Sequence, residues 1–408
     1  MTTPLFDFDE EIYRREVPAL KPHRIVLGAD GADLFPVGVA DMDFKAPPAV
    51  LEAMRKRLEH GVFGYETVPD GLMPALTAWL EARHGWQVDP AHILRAPNVL
   101  NSLAMAASLF TDEGDGIIVQ PPVFFDFYDI IAENCRRLVA NPLIETDGRY
   151  EMDFDGLERL AAEPRTRMLF LCNPHNPVGR VWRRDELERL AAICRCHDVL
   201  VVSDEIHGDI TFPGHPYTPF AALGDEAARD SITCLSPAKS FNIAACCSAF
   251  TVVADETRRK AFQAGNSRLT VNKNNAFASV AMEAAYRDGG PWLDAVFGYI
   301  GGNLALVRDC LAELPEVRLI EPEGTFLVWL DFRALGKSPE ELTAFLRGQA
   351  GWAVTRGPAF GEEGIGFARL NIACTRARLS AALDRLVQAI KALRRGYLAS
   401  TACSGRAS

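Results

Sequence analysis

Lys239 stands in the short polar stretch Ser236-Pro237-Ala238-Lys239-Ser240-Phe241-Asn242. A primary amine there could condense with an aldehyde to a Schiff base, and only its neutral form does so. The site must therefore lower the lysine's pKa by burial or by a neighbouring positive charge. Most lysines are solvated surface charges. What separates Lys239 from them is its upstream company, Asn173-Pro174-His175-Asn176-Pro177-Val178-Gly179 and Val201-Val202-Ser203-Asp204-Glu205-Ile206-His207.

The elements that would position these blocks read as an α/β fold. Runs at 167–172, 200–203 and 231–235 look like buried strands, and a helix at 184–197 alternates with them, as in a mostly parallel sheet flanked by helices. Each run stops at one of the polar blocks, and ligands of open α/β sheets sit at the carboxyl ends of strands. A further strand, 116–120, ends at Pro121-Pro122-Val123-Phe124, which brings Phe124 to the same edge. Asn98 reads as the N-cap of an apolar helix running to about Phe110, so the N–H groups of Val99 and Leu100 make a candidate anion site. A plain capped core helix explains the same residues. Helices are also expected at 47–60 and 71–84. From Pro291 the pattern changes to a long helix, a strand at 325–331, a helix at 339–349, a strand at 366–372 and a closing helix to about Arg394. The expected division is an arm, 1–46, belonging with the small domain, then a large domain, 47–290, the small α/β domain, 291–396, and a tail, 397–408, that frays.

Composition narrows the function classes. A chain of 408 residues with a formal net charge of −11 is repelled by nucleic acid and by anionic membrane surfaces. No stretch reaches the ~20 apolar residues of a membrane span, and the N-terminus has no leader pattern, so a cytoplasmic protein is expected. Cys194-Arg195-Cys196-His197 lacks the second pair of a metal site and reads as buried free thiols, and Cys246-Cys247 read as small packing residues; no metal is expected. Ser236-x-x-Lys239 also matches a serine acyl-transfer motif, but the downstream Lys-Thr-Gly that the chemistry needs is missing.

From about Gly38 to Arg394 the chain resembles the fold-type I enzymes of the class I/II aminotransferase superfamily, and within them the MalY/PatB-like branch of cystathionine β-lyase (C–S lyase) enzymes. The residues carrying the resemblance are Ala40-Asp41-Met42-Asp43-Phe44, Phe63-Gly64-Tyr65, 173–179, 204–207, 236–243, 361–364 and 369–373. It implies pyridoxal 5′-phosphate as cofactor, with Lys239 as the catalytic amine. Asp204 would meet the protonated pyridine nitrogen, and Asn176 and His207 the phenolic oxygen. Phe124 would stack on the ring, while Ser236, Val99 and Leu100 hold the phosphate. Arg369 would bind the substrate carboxylate, Gly38 would belong to the substrate pocket, and Tyr65 would reach the phosphate of a neighbouring subunit in a homodimer. Taken singly, Asn176 and His207 are equally well read as satisfied loop polar groups, an aromatic beside two prolines such as Phe124 is more often a packing residue, and a lone arginine on a strand such as Arg369 is more often a surface ion pair.

The implied activity is β-elimination from a cysteine S-conjugate, a small-molecule amino acid. The same residues would serve transamination or decarboxylating oxidative deamination of an S-substituted cysteine, and a PLP-fold regulatory protein is a further class. Four positions depart from the branch: Gly38 in place of Trp, expected to widen the pocket; Phe124 in place of Tyr; Asn98 in place of Gly; and Ala245-Cys246-Cys247, which would remove a side-chain contact to the phosphate.

Overall fold

Seven strands form the main sheet: β1 (Ile93–Ala96), β2 (Gly116–Val119), β3 (Arg137–Ala140), β4 (Thr166–Cys172), β5 (Leu200–Asp204), β6 (Ser231–Leu235) and β7 (Ala249–Val252). Their order is β1-β7-β6-β5-β4-β2-β3, and only β7 runs against its neighbours. Strands covered on both faces carry near-continuous apolar runs rather than alternating ones. β2, β5 and β6 are buried throughout, and the polar residues of β5 and β6, Ser203, Asp204, Ser231 and Thr233, are buried with them. The helices Val99–Phe110 and Asp126–Glu133 supply Leu103, Ala106, Ala107 and Phe127 to one face, where they meet Ile117, Val119, Phe170, Val202 and Ile232. Each such fully buried large side chain contributes roughly 1.5–3 kcal/mol.

This computed structural model describes residues 6–28, 33–246, 248–271 and 273–404. They divide into two compact units. The larger takes in the described residues of Lys45–Phe297 and Glu321–Thr325; the smaller takes in those of 1–44, Gly298–Ile320 and 326–408. In the larger unit Arg180 is buried, with its Nη2 on both oxygens of Glu186 at 2.9 and 3.0 Å and its Nε on Glu323 at 2.9 Å. Glu323 also accepts the Val181 N–H, so these contacts anchor the segment 321–325 beside the loop 173–179. The smaller unit has an antiparallel sheet of Arg318–Ile320, Leu327–Asp331, Phe367–Asn371 and Thr355–Arg356. Trp329 stacks on Phe367 within it at 5.2 Å. The chain before Phe44 joins this unit through Phe35–Pro36, which pairs with Trp352–Ala353, and through Asn371 Nδ2, which donates to Val39 O and Asp41 O.

Several elements differ from the sequence reading. Strands β1 and β7 and the helices Glu256–Arg268 and Ala276–Asp288 carry no pattern strong enough to have drawn an assignment. The closing helix, Arg376–Ser404, continues ten residues beyond Arg394 into the stretch expected to fray. Cys194 is buried as expected, whereas Cys196, two residues on, is turned outward by the helical period and is exposed. Among the described residues no helix is long and apolar enough to cross a membrane.

Candidate active site

Strands β4, β5 and β6 bring Cys172, Asp204 and Cys234 level with one another, with Asp204 in the middle. Asp204 is the last residue of β5 and is buried. One of its oxygens accepts the N–H of Ile206 at 3.1 Å. Burial pushes its pKa up to about 6; the Ile206 hydrogen bond and the Lys239 charge pull it down, and Asp126 adds a like charge that raises it. A carboxylate so placed is short of cationic compensation.

Lys239 lies in the single turn Pro237–Ser240 that follows β6. Ser236 caps the turn: its hydroxyl accepts the Ala238 N–H at 3.1 Å and donates to Ser248 O at 2.7 Å. Because that proton is already placed, Ser236 meets an outside acceptor in this structure only by giving up Ser248. On the other side of Asp204, the loop 173–179 carries Asn176, which is buried and donates its backbone N–H to Cys172 Sγ at 3.3 Å. His175 ties this loop to the one holding Phe124 by donating Nε2–H to Pro122 O at 3.0 Å, and burial lowers its pKa to about 4, so it stays neutral. Phe124 is half-buried, tilted against Phe125 at 5.0 Å and edge-on to Phe127 at 5.9 Å. His207 is buried three residues past Asp204. Asn98 caps the helix Val99–Phe110 by accepting the Asn101 N–H at 2.7 Å. The first turn of a helix has no internal acceptors for its N–H groups, so those of Val99 and Leu100 point outward.

The sequence profile described as aminotransferase class I and II matches residues 32–386. The chain belongs to the aminotransferase class I and II family. Cystathionine β-lyase PatB of Bacillus subtilis is 43% identical over 359 residues, which are 88% of this chain and 93% of that protein. Cystalysin from Treponema denticola, whose crystal structure contains a pyridoxal 5′-phosphate cofactor, superposes with a TM-score of 0.92 at 33% identity, covering 95% of this chain and all of that one. The PLP-bound C–S lyase from Staphylococcus hominis gives 0.86 at 30% identity, covering 94% and 99%.

The residues of this aminotransferase-family chain fit a pyridine cofactor on one direct observation. Asp204 is a buried carboxylate with a raised pKa, and a protonated ring nitrogen is the cation that would bring it down. The larger unit holds Lys239, Asp204, Asn176, His207, Phe124, Ser236, Val99 and Leu100 together. It also holds Tyr65, whose side chain is fully exposed. Gly38 and Arg369 belong to the smaller unit, where Arg369 is buried, donates from Nη2 to Gly38 O at 2.8 Å, and lies over the Phe360 ring at 4.9 Å.

Gly38 needs a correction. A Cβ there would stand 2.6 Å from Thr355 N and 2.8 Å from Val354 C, so the missing side chain lets two backbones touch and opens no space. Cys247, expected to remove a phosphate contact, lies outside the described residues, and its neighbour Cys246 is half-buried. The sequence reading missed roles for buried Glu205 and largely buried Asp209, two carboxyl groups beside the candidate cofactor residues Asp204 and His207. The signal was present: Asp204-Glu205-Ile206-His207-Gly208-Asp209 places three carboxylates within six residues.

Proposed function

We propose that this protein is a pyridoxal-phosphate-dependent C–S β-lyase that splits a cysteine S-conjugate into a thiol, pyruvate and ammonia. The observation that carries the proposal is the placement of buried Asp204 and half-buried Lys239 at or just past the carboxyl ends of adjacent strands, with burial holding the Asp204 carboxyl above its usual range despite the Lys239 charge. The relatives named as cystathionine β-lyase and C–S lyase support the choice of reaction within the family. When bound, the cofactor would supply an electron sink for charge developing at the substrate Cα.

The protein's own part is proton and charge management. Lys239 Nζ, left as a free neutral amine once the substrate's amino group displaces it, would take the proton from Cα, so that an N–H bond forms at the lysine as the C–H bond breaks. Asp204 would place its negative charge toward the ring nitrogen and would keep that nitrogen protonated. His207 and Asn176, both buried, would orient the ring's phenolic oxygen, and half-buried Phe124 would cover one face of the ring. The Cβ–S bond then breaks, with its electron pair leaving on sulfur as thiolate. The remaining enamine hydrolyses to pyruvate and ammonia.

We further propose a homodimer. Tyr65, Phe63 and Val62 form an exposed aromatic and aliphatic group on the larger unit, and a second copy would cover it. Sedimentation should give twice the chain mass, and a monomer at micromolar concentration with full activity would overturn this part. The reaction is tested by supplying cofactor-loaded protein with an S-alkyl cysteine and assaying thiol and pyruvate together. Equal amounts of the two are expected. Conversion of the cofactor to its amine form without thiol release would mean transamination instead.

A further inference from the structure

Behind the lysine turn lies a buried polar assembly that the proposed chemistry does not use. Ser240, the residue after Lys239, is fully buried and donates its hydroxyl to Asp209 Oδ2 at 2.8 Å. The other Asp209 oxygen accepts from Trp79 Nε1 and His84 Nε2, each at 2.8 Å. Trp79 and His84 come from the helix Leu72–His84, whose C-terminal residue is His84. The His84 ring stands edge-on to Tyr217 at 4.9 Å, and the Tyr217 hydroxyl donates to Glu205. Gly208 permits this packing, since a Cβ there would come within 2.8 Å of Tyr217 Cζ.

The segment 204–209 therefore points two ways. Asp204 and His207 belong with the candidate cofactor residues. Glu205 and Asp209 belong to the assembly behind them. Lys239 sits in a turn of only four residues, too short to hold its own geometry by internal hydrogen bonds. Ser236 fixes the start of the turn to Ser248, and Ser240 fixes its end to Asp209. The ring of Phe241 closes the same place, packed edge-on against Trp79 at 5.4 Å. Burial pushes the Asp209 carboxyl up, but the His84 hydrogen bond and charge, then Ser240 and Trp79, bring it below the usual range, so it remains ionised.

We propose that Asp209 is a positioning residue for Lys239, acting through Ser240, with Trp79 and His84 holding its carboxylate in place. The inference rests on the reading of Lys239 as the cofactor-bound amine. A misplaced amine transfers protons slowly even when substrate binding is intact, so the effect belongs in kcat rather than in KM.

The test uses cofactor-loaded protein and two variants, Ser240→Ala and Asp209→Asn. The asparagine can accept from Trp79 and His84 through its oxygen, so it keeps the shape of the site while removing the charge. For each variant kcat and KM are measured, along with the pH midpoint of the visible band that the lysine-bound cofactor shows. For Ser240→Ala, kcat should fall about five- to tenfold with KM within about twofold. For Asp209→Asn the band's midpoint should move down by about half a pH unit or more, since the negative charge that anchors the lysine turn through Ser240 is lost. If both variants fold and keep wild-type kcat and midpoint, this inference fails and the assembly is structural. If the wild-type protein shows no such band, the reading of Lys239 fails and takes this inference with it.

Discussion

Replacing Lys239 by alanine is expected to lower turnover by about 10³-fold or more and to remove the visible band of the lysine-bound cofactor, while leaving the protein folded. The fold should survive because the half-buried Lys239 occupies a turn secured by its neighbours, Ser236 through Ser248 and Ser240 through Asp209. Alanine is also the better helix former. The loss should fall on kcat, because the proposed reaction uses the lysine as its base at the substrate Cα and no other side chain of the turn is an amine or a carboxylate. Cofactor should still bind without a covalent link, held by Asp204 and the helix start at Val99. One further consequence is electrostatic: the Lys239 charge is among the influences that lower Asp204, so without it the carboxyl should titrate higher than in the parent protein. Turnover within tenfold of wild type would move the chemistry away from Lys239.

The sheet's carboxyl edge was legible in the sequence for a physical reason. Strands covered on both faces run largely apolar, and they end abruptly where polar residues can again reach a ligand, so the runs read at 167–172, 200–203 and 231–235 announce both themselves and their ends. Asn98 was legible because a cap is a local matter, settled by a side chain and an N–H three residues on. What stayed hidden depends on partners far along the chain. Asp209 meets Trp79 and His84 across more than a hundred residues, and Arg180 meets Glu323 across 143. No period or spacing encodes such pairs. Gly38 was misread for the same reason: the backbone of Val354 and Thr355 that forbids a side chain there lies some three hundred residues away in sequence. Strand β7, Ala249–Val252, escaped because no polar block of the site follows it and its antiparallel place is set by pairing with β1 and β6.

The substitution Asp204→Asn should move stability and activity in opposite directions. The carboxyl's pKa in the folded protein, about 6, lies above the ordinary value near 3.8. For an acid shifted this way, the folded state keeps a proton that the unfolded chain has already lost, so stability falls as pH rises between about 4 and 6 and stays lower above that. In cofactor-free protein the variant has no such loss. Its melting temperature relative to wild type should therefore climb from about pH 4 to about pH 7 and then level off. The introduced amide can still accept the Ile206 N–H through its oxygen, which preserves the local turn. Loaded with cofactor, the same variant should turn over about 10²–10³-fold more slowly, the usual scale for losing one preorganised charge at a reacting centre. Wild type and variant compared by calorimetry without cofactor, and by thiol release with it, would decide the matter. A melting difference that does not change with pH would mean that Asp204 is compensated within the protein already, which would remove the reason for placing a ring cation beside it.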